Sequence, residues 1–163
     1  MDYITYYNSP LGRMTLSSDG VHLTGLWFNK QKNYGSTLSK DYSQKDLPIF
    51  NDVSLWLDDY FHKKIPSFLP PLKYSSTPFR EEVWKILLTI PYGQTTTYKD
   101  IANQFSNTMS SQAVGGAVGH NPISIIIPCH RVIGKDGSLV GYDAGIERKK
   151  KLLELEGIIK TVV

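Results

Sequence analysis

Apolar and β-favouring residues concentrate in Tyr3 to Tyr7, Met14 to Ser18 and Leu23 to Phe28, three short segments rich in Thr, Tyr, Ile, Leu and Trp. Turn-forming residues separate them, Ser9-Pro10-Leu11-Gly12 and then Ser18-Asp19-Gly20, so the pattern predicts an antiparallel meander. Residues 30–47 are polar and aperiodic and read as a surface loop. Phe50, Val53, Leu57, Tyr60 and Phe61 recur at helical spacing, which predicts an amphipathic helix from Pro48 to about His62, laid over the sheet. Pro66, Pro70 and Pro71 then mark Ile65 to Leu72 as a linker.

The second half is helical in pattern. Thr77-Pro78 opens a helix, with Thr as N-cap, Pro at the first helical position and Glu81 and Glu82 at the positive end of the dipole. Its predicted apolar face is Phe79, Val83, Leu87 and Ile90, and Pro91-Tyr92-Gly93 ends it. A short helix follows from Thr97 to Phe105, with Asp100 three residues after its cap. Ser111 starts another, which runs to Asn121-Pro122. Two short helices joined by a tight connection make a helix-turn-helix. The second carries Gly115, Gly116 and Gly119, each costing about 1 kcal/mol relative to alanine. Either a tight contact inside the protein or a partner pressed against the backbone accounts for such a loss. Ile125-Ile126-Ile127 reads as a short buried strand stopped by Pro128. Gly134 to Gly145 reads as a glycine-punctuated loop. Ile146 to Glu156 reads as a closing helix with Ile146, Leu152, Leu153 and Leu155 inward and Arg148-Lys149-Lys150-Lys151 on a solvated face. The pattern predicts an α+β protein with two parts, 1–72 and 73–163.

Composition narrows the class. With 40% hydrophobic residues the chain can bury a core. Its longest apolar run is far shorter than the ~20 residues of a membrane span, and the start lacks the basic and apolar segments of a signal peptide. A single cysteine excludes an internal disulfide, and no His/Cys cluster has zinc spacing. His22 and His62 are therefore read as structural or surface residues. No metal or cofactor is expected, and the location is expected to be cytoplasmic. Residues 1–72 balance seven Lys/Arg against seven Asp/Glu, so the whole net charge of +3 falls in residues 73–163, a weak sign of an anionic partner.

The cysteine is Cys129, at the end of the isoleucine run and followed by His130 and Arg131. Those neighbours supply a base and a fixed positive charge. A thiol of ordinary pKa ~8.5 needs such help to act as a nucleophile near neutrality. Without them a lone cysteine after an apolar run is a buried core residue.

Pro128-Cys129-His130-Arg131-Val132, preceded by Ala113-Val114-Gly115-Gly116-Ala117 and Asn121-Pro122, resembles the signature of the O6-alkylguanine-DNA alkyltransferases, the methylated-DNA–protein-cysteine methyltransferases. The resemblance runs from about Thr77 to Gly157. It implies a ribonuclease H-like N-terminal part and a winged-helix-like C-terminal part. It further implies a monomer that binds double-stranded DNA through the minor groove, flips out an O6-alkylguanine, and takes the alkyl group irreversibly onto Cys129; O4-alkylthymine is implied as a further substrate.

By the same resemblance His130 is the base, acting through water, Glu156 orients it, and Asn121 fixes the turn beside the thiol. Tyr98 helps rotate the nucleotide and donates to the purine. Carbonyls of Cys129 and Val132 accept from the guanine amino group, the backbone at Asp143 donates to O6, and Tyr142 and Ala144 line the alkyl pocket. Gln112, Ala113, Gly115, Gly116 and Arg131 meet DNA. Two departures stand out. Gln112 replaces the family's usual arginine, which fills the space left by the flipped base, and Asp143 and Ala144 stand where many relatives have Gly or Ser. Other readings are a non-catalytic alkyltransferase-like lesion-binding protein, which lacks the cysteine, and a cysteine hydrolase, for which no second histidine is well placed.

Overall fold

The structure, a computed structural model, describes residues 1–139 and 141–159. The chain forms two compact units, Met1–Tyr74 with Pro122–Ser124, and Ser75–Asn121 with Ile125–Val163.

In the first unit β1 (Asp2–Ser9), β2 (Gly12–Ser18) and β3 (Leu23–Phe28) form the expected antiparallel meander. A further strand, β4 (Tyr42–Gln44), pairs parallel with β1, so the sheet is mixed, in the order β3-β2-β1-β4. The reading of residues 30–47 as loop alone is corrected here. Tyr42-Ser43-Gln44 is exposed and has no apolar face to betray it; the open edge of β1 makes it a strand. The helix α1 (Pro48–Phe61) covers one sheet face: the Tyr7 hydroxyl donates to Asp58 at 2.6 Å, and the Tyr7 and Phe61 rings stack. Met14, Leu16, Leu26 and Phe28 lie on that face with Val53, Leu57 and Tyr60 against them, all fully buried. Tyr34 covers the other face, its hydroxyl 2.8 Å from Thr15 Oγ1 and its ring against Trp27. Burial on both faces explains why β2 is buried residue after residue instead of in alternation. The outer edge of β3 is closed by backbone bonds from Leu23 to Pro71 and Lys73, and from Leu26 to Pro122 and Ser124.

The second unit holds α2 (Pro78–Leu87), β5 (Thr96–Thr97), α3 (Tyr98–Phe105), α4 (Ser111–Gly119), a 3-10 turn (Cys129–Arg131), β6 (Val132–Ile133) and α5 (Ile146–Leu155). The caps are the ones expected from sequence: Thr77 Oγ1 accepts from Arg80 N, and Thr97 Oγ1 from Asp100 N. Ser110 Oγ accepts from Ala113 N and sets the start of α4. Trp84, absent from the predicted face of α2, is buried, and its indole N–H donates to the Ala117 carbonyl at 2.8 Å, tying α2 to α4. The parallel pairing of β5 with β6 places the start of α3 beside the segment that follows Cys129.

Two local expectations fail. Ile125-Ile126-Ile127 is buried as expected but is a turn, not a strand, and Ile125 adopts a left-handed φ of 68°. Burial on all sides produces the same apolar run whether or not a ladder partner exists. On α5, Ile146 is exposed at the N-terminal end while Lys149 is completely buried. Lys149, Leu152, Leu153 and Glu156 occupy the inward stripe at helical spacing.

Candidate active site

The site lies within the second unit and is built around a buried carboxylate. Glu156 is the C-cap of α5, its side chain inaccessible to solvent. Its Oε2 is 2.5 Å from His130 Nε2 and its Oε1 accepts from Arg131 Nε at 2.8 Å. Burial by itself would raise the Glu156 pKa, but the bonds and charges of His130 and Arg131 overcome it and hold the group at about 2. Arg131 is the permanent cation of the trio, so Glu156 is ionised throughout the neutral range. A carboxylate only accepts, so His130 places its proton on Nε2 and keeps the Nδ1 lone pair as its basic site. Burial lowers the His130 pKa, which keeps the ring neutral and able to take a proton.

Arg131, expected to meet DNA, is 8% exposed. Its guanidinium faces inward, bonded to Glu156 and, through NH1 at 2.8 Å, to the Ile90 carbonyl. An arginine beside an uncompensated buried carboxylate is drawn to it in preference to solvent.

Cys129 is the first residue of the 3-10 turn and is 5% exposed. Asn121 Nδ2 donates to the Ile127 carbonyl at 2.7 Å, and the Cys129 N–H donates to the same carbonyl at 2.8 Å. Both bonds fix the backbone that presents the thiol. Burial raises the thiol pKa; Asn121, the Lys149 charge and Tyr142 pull it back, and the Asp143 carboxylate opposes them. The cation acting on the sulfur is thus Lys149, which the sequence reading left on a solvated face. Lys149 Nζ donates to the Val132 carbonyl at 2.5 Å and to the Gly141 carbonyl at 3.2 Å, with the Tyr98 hydroxyl 3.5 Å away. Burial lowers its pKa to about 8, while the Cys129 thiolate supports its charged form. The stripe of 149, 152, 153 and 156 on one face of α5 is the signal that marks it.

The remaining expected residues fall in three places. Tyr98 begins α3 close to Lys149 and Gly141; burial and the Cys129 charge push its pKa up to about 12, so it keeps its proton and can donate. The Cys129 carbonyl accepts from Val132 N, and the Val132 carbonyl from Lys149. Tyr142 and Asp143 are half-buried and Ala144 is buried in the loop after β6. Of that expected loop, Val140 lies outside the described residues. Among the described residues no three metal-ligating side chains cluster.

On α4, Gln112, Ala113 and Gly116 are exposed. A Cβ added to Gly116 or Gly119 would meet nothing within 4 Å, and one on Gly115 would come no closer than 3.9 Å, to the Tyr98 ring. No contact inside the described protein requires these glycines. Of the two explanations open from the sequence, a tight internal contact finds no support among the described residues.

Comparison with known proteins gives this arrangement a family. Residues 78–158 match the 6-O-methylguanine DNA methyltransferase DNA binding domain, and residues 3–74 match the ribonuclease-like domain of the same proteins. The methylated-DNA–protein-cysteine methyltransferase of Haemophilus influenzae is 44% identical over 157 residues, covering 96% of this chain and 87% of that protein. The inducible enzyme of that name from Bacillus subtilis is 49% identical, covering 95% and 85%. The crystal structure of Mycobacterium tuberculosis OGT in complex with DNA superposes with a TM-score of 0.86 at 42% identity, covering 94% of this chain and 92% of that one. Fold and site define an α+β protein with a helix-turn-helix and a buried thiol. The chain belongs to the 6-O-methylguanine DNA methyltransferase family.

The Lys149 assignment is tested by the pH dependence of Cys129 alkylation by a small electrophile. Lys149→Met removes a cation acting on the sulfur, so the apparent thiol pKa rises and the rate near neutrality falls about tenfold for each unit of the rise. Lys150→Met and Lys151→Met, on exposed positions, leave both unchanged. An unshifted profile in Lys149→Met removes the lysine from the site.

Proposed function

We propose that this protein repairs DNA by direct reversal of damage, transferring a methyl or other alkyl group from O6 of guanine to the sulfur of Cys129 in a single, irreversible turnover. The observation that carries this reading is a buried thiol, next to a neutral histidine held by an ionised carboxylate, in the same compact unit as a helix whose glycines face open space.

In the proposed reaction the thiol proton passes through water to His130, whose imidazolium Glu156 stabilises. The sulfur attacks the alkyl carbon, the carbon–O6 bond breaks, and the electron pair stays with the purine, where Tyr98 donates to the developing anion. Carbonyls of Cys129 and Val132 receive the guanine amino group and the backbone at Asp143 addresses O6, while Tyr142 and Ala144 bound the space for the alkyl group. The product thioether has no good leaving group, so the protein is consumed. Because O6 lies inside the duplex, the nucleotide must be extruded. In this proposal α4 enters the minor groove, Ala113, Gly115 and Gly116 let backbone approach the DNA, and Gln112 occupies the vacated space. O4-alkylthymine is included as a second substrate. Residues 73–163 carry these functions, and residues 1–72 serve as scaffold. The protein works as a monomer in the cytoplasm; no helix among the described residues is long and apolar enough to cross a membrane. The presence of Cys129 weighs against a purely lesion-binding role.

Incubation with duplex DNA bearing one O6-methylguanine adds one methyl group to Cys129 by intact mass, and repair stops at one lesion per protein. Cys129→Ala abolishes transfer, and His130→Ala slows it by about 10²- to 10⁴-fold. Repair continuing past one lesion per protein rules out the single-turnover mechanism.

The role of α4 is tested by a substitution that separates folding from binding. Gly116→Ala enters open space and relieves a helix-interior glycine, so it stabilises the protein by about 1 kcal/mol, a rise in Tm of about 2–4 °C. The same methyl group weakens duplex binding and slows repair in duplex while leaving reaction with free O6-benzylguanine unchanged. Unaltered duplex affinity removes α4 from the DNA interface.

A further inference from the structure

The Glu156 carboxylate has a third donor. The backbone N–H of Gly93 reaches Oε1 at 3.0 Å, beside Arg131 Nε at 2.8 Å, so Oε1 takes two hydrogen bonds and Oε2 faces His130. Gly93 belongs to the turn after α2, closed by Gln94 N to the Pro91 carbonyl at 3.1 Å. The same turn holds the other members of the network. The Ile90 carbonyl accepts from Arg131 at 2.8 Å, the Arg131 guanidinium lies 5.7 Å from the centre of the Tyr92 ring, and the Tyr92 hydroxyl reaches the Leu155 carbonyl at 3.4 Å.

We infer that the turn Ile90–Gly93 is a positioning element for alkyl transfer, and that the Gly93 amide, through Glu156, fixes the orientation and charge of the base His130. The inference rests on the proposed alkyl-transfer reading. Its physical content is a division of labour between the carboxylate oxygens. With Oε1 held from two sides, the carboxylate cannot rotate, and Oε2 is presented to the imidazole in one direction. A buried carboxylate with fewer donors is also easier to protonate, and a protonated Glu156 no longer stabilises the imidazolium.

The aim of this N–H depends on backbone conformation. Gly93 has φ of 81°, in the left-handed region that glycine adopts without penalty and β-branched residues avoid. Space alone does not demand glycine: an added Cβ would stand 3.6 Å from the Glu156 carbonyl oxygen, an ordinary contact. The requirement is therefore for the dihedral angle and the direction of the N–H. Asparagine tolerates that region far better than valine does.

The test measures single-turnover alkylation of Cys129 by free O6-benzylguanine against pH, so that DNA binding plays no part. Gly93→Val slows transfer by about ten- to a hundredfold, as expected of a misplaced catalytic constellation, and moves the acid limb of the profile to higher pH. Gly93→Asn restores most of the lost rate. In a Glu156→Gln background Gly93→Val costs little more, because the group it positions is already gone. Should Gly93→Val not fold, Gly93→Ala is read by the same criteria. A Gly93→Val rate and pH profile like those of an active wild type overturn the inference alone. So does a rate loss that multiplies in full with that of Glu156→Gln, since this marks a general structural effect. A wild type that takes up no alkyl group at all overturns the parent reading, and the inference with it.

Discussion

Burying a carboxylate is the constraint from which the site follows. A charge removed from water costs several kcal/mol unless donors replace the solvent, and Glu156, inaccessible at the end of α5, is supplied by His130 and Arg131 from the 3-10 turn and by Gly93 from the turn after α2. Three separated stretches of sequence are fixed against one another by that demand. The lowered pKa of Glu156 also links the network to stability. The group contributes fully above about 4.5, its ordinary value, and the contribution is lost as the pH falls through about 2. Glu156 thus stays ionised at any physiological acidity.

The thiol is handled differently. Burial pushes the Cys129 pKa up, and the opposing influences are a buried ammonium and two polar side chains. The protein keeps the nucleophile shielded and gives it a local cation, Lys149, whose own pKa is drawn down to about 8 by the same burial. Lys149 is shared between the sulfur and the Val132 carbonyl. The charge that activates the nucleophile is thereby tied to the backbone proposed to receive the guanine.

Much of this was legible in the sequence where local chemistry decides the outcome. Thr77 and Thr97 cap helices because a side-chain oxygen next to unsatisfied N–H groups works irrespective of tertiary context. The β1–β3 meander follows from β-favouring segments set between turn residues. Elements decided by distant partners were not legible. β4 is polar and exists only because an edge of β1 is open, and the isoleucine run before Pro128 is buried without being a strand. Charged residues were the hardest to place. Arg131 and Lys149 both read as solvent- or DNA-facing cations, yet each is claimed by a buried acceptor, a carboxylate in one case and a carbonyl in the other. The glycines of α4 carried a signal, but choosing between inside and outside required knowing that nothing in the described protein stands over Gly116 and Gly119.

Burial keeps His130 neutral, and the ionised Glu156 fixes its tautomer, with the proton on Nε2 and the lone pair on Nδ1. Nitrogen-15 NMR of the histidine side chains across a pH titration reads this directly. At pH 7 His130 is expected to show the spectrum of a neutral ring protonated at Nε2, with a pKa below the ordinary histidine value of 6.5. An imidazolium at pH 7, or a neutral ring carrying its proton on Nδ1, would contradict this.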